Sequence, residues 1–101
     1  MSTIAAHVKT ANGGKYVKQL SSHWGHKFPV ELEGETGAIT FPNALVILAG
    51  DPDGIAITIT GEDREGVERL TGVVASHIDR FAFREVPLDY QWHWQETATQ
   101  D

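Results

Sequence analysis

Between residues 28 and 60 the sequence leaves little choice of fold. Four short apolar runs are joined by turns too tight for anything but an antiparallel meander. Phe28, Val30 and Leu32 alternate with Pro29, Glu31 and Glu33, and Gly34-Glu35-Thr36-Gly37 turns the chain. Residues 38–41 make the next predicted strand, closed by Pro42-Asn43. Residues 44–49 are apolar at every position, and Gly50-Asp51-Pro52-Asp53-Gly54 carries strong turn chemistry. Ile55, Ile57 and Ile59 then alternate with Ala56, Thr58 and Thr60, the period-two pattern of a strand with one buried face.

The flanks supply the rest of the fold. Ile4, Ala6 and Val8 alternate with Ala5, His7 and Lys9, predicting a strand over residues 3–9. Asn12-Gly13-Gly14 breaks it, and Asn12 suits the N-cap of a helix. Tyr16, Val17, Leu20 and Trp24 form one stripe at helical spacing, predicting a helix over residues 15–25 that Gly25 stops and Pro29 keeps from continuing. A second helix is predicted over residues 62–82, with Glu62, Asp63 and Glu65 in its first turn and Arg80 near its end, as the helix dipole favours. Its apolar stripe is Val67, Leu70, Val73, Val74, Ile78 and Phe81. Finally Val86, Leu88, Tyr90, Trp92 and Trp94 alternate with polar residues and Pro87, the pattern of a long closing strand.

The order strand, helix, four strands, helix, strand predicts one α+β domain over residues 1–94. It has a mostly antiparallel sheet of about six strands and two helices packed on one face. Residues 95–101 are expected to form a flexible polar tail. The run at 44–49, apolar on both faces, belongs at the sheet centre or against a second subunit. A homodimer through Leu45, Ile47 and Trp92 of the aromatic final strand is the corresponding expectation.

Composition narrows the classes. With 101 residues the chain is the size of one domain, and 41% hydrophobic against 22% charged residues argues against disorder. No apolar run approaches the roughly 20 residues of a membrane helix. There is no cysteine, which removes disulfides, thiolate metal sites and cysteine nucleophiles together. The N-terminus lacks a basic region followed by an apolar core, so the expected address is the cytoplasm. The net charge of −6 is unevenly spread: residues 1–30 hold four lysines and no acid, whereas residues 31–101 hold four arginines and all 14 acids. The basic third either attracts an anionic ligand or an acidic partner, or balances the acids across the fold. The acidic total argues against nucleic acid.

Standard catalytic signatures are missing, so an enzyme ranks last among the readings. Gly13-Gly14 ahead of a helix is a weak anion-site signal, and Glu31, Glu33 and Glu35 read as a solvated edge. The histidines say more. On a helical wheel His23 lies at the edge of the arc set by Tyr16, Leu20 and Trp24, and His26 lies further round if the helix persists. His77 falls between Leu70 and Val73, inside the second stripe. Both helices thus carry an imidazole on or beside their core-facing side.

Three readings stay open. The histidines are neutral structural residues bonded to each other, to backbone or to water. Or His23, His26 and His77 ligate zinc, iron or haem, with Trp24, Phe81 and Phe83 as an apolar wall. Or one acts in acid–base chemistry with Glu85 or Asp79 orienting it. His7 and His93 fall on polar strand faces and are not expected to be ligands.

The pattern Tyr16-x-x-x-Leu20-x-x-His23-Trp24-x-His26-Lys27 resembles a signature of the bacterial domain of unknown function 2218 family. So do Gly37-x-Ile39-x-Phe41-Pro42, the run from Val73-Val74 through His77 and Arg80-Phe81-Ala82-Phe83-Arg84-Glu85, and the strand ending in Trp94. The resemblance spans about residues 4–94. It implies a small bacterial domain without an established function. Similar domains are attached to flavin-dependent siderophore-interacting reductases, so the resemblance implies iron handling and such a reductase as partner. It singles out His23, Trp24, His26, Lys27, His77, Arg80 and Phe81, which makes Trp24, Lys27, Arg80 and Phe81 candidate ligand contacts around the histidines.

Overall fold

The computed structural model describes residues 1–95, in the order β1 (Ser2–Lys9), α1 (Gly13–Trp24), β2 (Val30–Glu33), β3 (Thr36–Phe41), β4 (Ala44–Asp51), β5 (Gly54–Gly61), α2 (Arg64–Phe81) and β6 (His93–Gln95). The strands form one antiparallel sheet in the order β2-β3-β4-β5-β1-β6. The α+β architecture is therefore the expected one. The all-apolar strand β4 lies inside the sheet between β3 and β5, as its two-sided hydrophobicity requires.

Register reflects the alternation. Val30, Ile39, Val46, Ile59, Ile4 and Trp94 stand opposite one another across the six strands, beside a row that includes Leu48, Ile57 and Ala6. A slip of one residue would turn these side chains to the other face. Both helices cover this face, α1 over β3 and β4, α2 over β5 and β1. Val17 and Leu20 of α1 and Val67, Val74 and Ile78 of α2 are buried against it. Among the described residues no helix covers the opposite face, with Leu45, Ile47, Ala38, Thr58 and Ala5.

The start of α1 is pressed on the β4–β5 hairpin by glycines on both sides. A Cβ at Gly50 would stand 2.7 Å from Gly14 N and Cα, and one at Gly13 would collide with the Gly54 carbonyl. The Glu35 carboxylate lies against Gly14. Asn12-Gly13-Gly14 is thus a packing device, and the Glu35 and Asp51 carboxylates lining the depression at the helix N-terminus disfavour an anion there.

Three expectations change. Helix α1 ends at Trp24, and Gly25 keeps an ordinary right-handed φ of −62°. His26 consequently stands on the turn after the helix and not on the helix itself. The long closing strand shrinks to His93–Gln95, because β6 pairs only with Thr3–Ala5 of β1. Pro87 has no N–H for a ladder. Further along, the Tyr90 hydroxyl is drawn to α2, 2.8 Å from Asp79 Oδ1.

The joint interface of Leu45, Ile47 and Trp92 also comes apart. Trp92 stacks on Tyr90, with ring centres 6.2 Å apart, and packs against the helix-side core. Leu45 and Ile47 lie on the open face. The tail expectation concerns residues outside those described, except Gln95, which closes β6. Among the described residues no helix is long and apolar enough to cross a membrane.

Candidate functional site

The buried line of α2 runs through Val67, Val74 and Ile78, so His77 sits on the helix shoulder that faces α1. His23 stands on the matching shoulder of α1, one residue before the buried Trp24. The two imidazoles meet across the seam with ring centres 5.4 Å apart and planes tilted by 47°. Trp24 floors the seam, its ring centre 5.0 Å from that of His77 and 5.5 Å from that of Phe41. Phe81 walls one side, 6.1 Å from His23. His23 is exposed and His77 half-buried, so the pair is not the buried core couple that the helical wheel suggested. The wheel placed His23 at the margin of its stripe, where it is solvent-facing, but set His77 inside the second stripe, whereas the ring is only half-buried.

The His77 ring is oriented by its own helix. Its Nδ1 lies 2.7 Å from the Val73 carbonyl oxygen, which only accepts, so in the neutral ring Nδ1 carries the proton and Nε2 presents its lone pair. A histidine oriented this way by a backbone carbonyl is the usual arrangement of a metal ligand. Nitrogen–metal bonds of about 2.0–2.1 Å at tetrahedral angles place the ring centres of two bound imidazoles roughly 5 Å apart, close to the observed separation.

His26 does not complete a three-histidine set. Among the described residues no group of three or more His, Cys, Asp or Glu side chains is placed to hold a metal ion. His26 shares with His23 a groove along α1 that also takes in Lys18, Gln19, Ser22 and Phe81. Lys27 lies next on the exposed turn, its N–H bonded to the Trp24 carbonyl, and Arg80 is exposed in the last turn of α2. Neither lies within ion-pair distance of a carboxylate among the described residues, where the pair recorded is His7 with Asp51 at 3.2 Å. That contact, with the His7 hydrogen bond as its main effect, holds the Asp51 carboxyl below its ordinary range.

A second polar cluster escaped the sequence reading. Glu85, on the turn after α2, accepts from Thr10 Oγ1 at 2.7 Å, Asn12 Nδ2 at 3.0 Å and the Tyr16 hydroxyl. Thr10 Oγ1 in turn accepts from the Asn12 N–H at 3.1 Å. The Tyr16 hydroxyl, and after it Thr10 and Asn12, hold the Glu85 carboxyl below the usual carboxylate range. Burial, and then Glu85, push the Tyr16 phenol up. Asn12 occupies the N-cap position of α1 without capping it, because its side chain is committed to Glu85. Glu85 therefore orients no histidine; it ties the β1–α1 loop to the end of α2. Asp79 likewise serves Tyr90.

Known proteins share this outline. The family model described as "Uncharacterized protein conserved in bacteria (DUF2218)" matches residues 5–93. Among solved structures, the NMR structure of PA4090 from Pseudomonas aeruginosa is similar at 35% identity and a TM-score of 0.76, covering 94% of this chain and 96% of that one. No curated protein matches.

Proposed function

The chain belongs to the DUF2218 family, and we propose that it is a binding domain whose α1–α2 seam holds a metal-centred ligand through His23 and His77. One observation carries the reading: two imidazole rings lie 5.4 Å apart across the seam, one with its Nε2 freed by the Val73 carbonyl. Two neutral nitrogens leave positions on an ion open, so the ligand itself supplies the remaining donors. Trp24 beneath and Phe81 beside the pair suit a planar or partly apolar ligand, with haem or an iron complex as the favoured class. In that role the domain serves iron use as an accessory to a flavin-dependent reductase, the partner its family resemblance implies.

Two titrations test this. Nickel nitrilotriacetate, a complex with coordination positions left for imidazole, and haemin are each added while the visible spectrum is recorded. The reading predicts a saturable shift with at least one of them, lost in His23→Ala and in His77→Ala. No shift with either, or a shift that both variants retain, overturns it.

A second reading, a homodimeric interaction module with structural histidines, draws on the bare sheet face. Leu45 is 38% exposed there, next to Ile47 and a set of alanines and threonines.

A further inference from the structure

Beside α1 runs a groove that meets the histidine seam at His23 and Phe81 and extends away from it. At one end it is lined by Lys15, Tyr16 and Gln19 against Phe81, Phe83 and Arg84, and at the other Lys18, Gln19 and Phe81 lead on to His23 and His26. Gln19 and Phe81 line both ends, so the two depressions adjoin. It contains no carboxylate among its lining residues. Glu85 lies close enough for Lys15 to help depress its pKa, but its oxygens are taken by Thr10, Asn12 and Tyr16. Lys15, Lys18 and Arg84 make no ion pair with any carboxylate among the described residues. Phe83 is 64% exposed, with the Arg84 guanidinium carbon 5.4 Å from its ring centre.

We propose that this groove docks an extended acidic peptide segment of a partner protein, its carboxylates on Lys15, Lys18 and Arg84 and an apolar side chain between Phe81 and Phe83. Charge complementarity selects the occupant: three unpaired cations and two aromatic rings stand together on a chain whose net charge is −6. Length agrees. At 1.5 Å per helical residue the stretch from Lys15 to Trp24, the end of α1, measures roughly 14 Å, which an extended peptide of about four residues spans. A nucleic acid or an anionic membrane would run beyond the groove onto the acidic remainder of the surface and be repelled. The proposal stands on the lysines and Arg84; the groove shares His23 and Phe81 with the metal reading, but the triple variant leaves both in place, so the two readings fail separately.

The test is fluorescence anisotropy of the intact protein with a labelled Glu-Phe-Glu-Asp-Phe-Glu peptide, and with a Lys-Phe-Lys-Lys-Phe-Lys control. The acidic peptide should bind, weaken at least tenfold between about 0.05 and 0.5 M salt, and weaken at least tenfold in the exposed triple variant Lys15→Glu, Lys18→Glu, Arg84→Glu. Lys9→Glu, at the exposed end of β1, should bind as the parent does, and circular dichroism checks that every variant is folded. Absence of binding overturns the proposal, as does equal binding of the basic peptide or an affinity unchanged in the folded triple variant. Competition by millimolar inorganic phosphate as complete as that by unlabelled peptide would also overturn it, in favour of a small-anion site.

Discussion

Glu85 receives hydrogen bonds from side chains 69, 73 and 75 residues away, and its chemistry makes the fold sensitive to acid. A carboxyl whose folded pKa is depressed adds stability above its unfolded pKa of about 4.3 and loses it as pH falls through the folded value. Thermal unfolding of the parent and of Glu85→Gln should therefore differ by about 1–2 kcal/mol at neutral pH, and the gap should close as pH drops below about 4. Equal stabilities at neutral pH would show that the cluster contributes nothing. Tyr90 behaves in the opposite sense. Burial, with Asp79, pushes its phenol up, so its contribution is complete below about pH 10 and is lost above the raised value. Tyr90→Phe should destabilise by about 1 kcal/mol at neutral pH and unfold less steeply with alkali, as denaturant melts at each pH will read. Neither residue's role was legible in the sequence. Local spacing reports which face a residue is on, whereas these partners are brought together by the fold across most of the chain.

At the scale of elements the sequence was more readable. Period-two alternation located β1, β2 and β5, short apolar runs between turns located β3 and β4, and the two apolar stripes located both helices. The failures have particular causes. Residues 86–92 alternate as a strand does, yet β1 offers β6 only three residues of pairing and the Asp79 carboxylate takes Tyr90, so the aromatics cover α2. Arg64 of α2 lies 3.8 Å over the Trp94 ring and fastens the end of the segment. His26 left the helix at the Gly25 turn. The glycines at the α1–hairpin contact offer a prediction at this scale. Gly50→Ala should cost about 1–3 kcal/mol in denaturant unfolding, since its methyl meets Gly13 and Gly14 backbone and no flexible side chain can yield. A variant as stable as the parent would mean that the helix moves off the hairpin freely.

For the whole molecule the division between faces matters most. One face of the sheet holds the core, both helices and the histidine seam, while on the other no layer among the described residues covers Leu45 and Ile47. If that second face joins two copies, sedimentation velocity should show a concentration-dependent dimer that Ile47→Lys dissociates, and a monomer at every concentration removes the homodimer. The seam faces away from that surface, so a ligand at the histidines and a partner at the open face do not compete. The most direct measurement of the central claim is histidine-selective long-range nitrogen–proton NMR during titration with zinc. The account predicts that the His77 ring starts as the Nδ1–H tautomer, and that His23 and His77 shift together, saturating at one equivalent, while His7 and His93 stay in place. Shifts at His23 without His77, or uniform weak shifts at all five histidines, would contradict it.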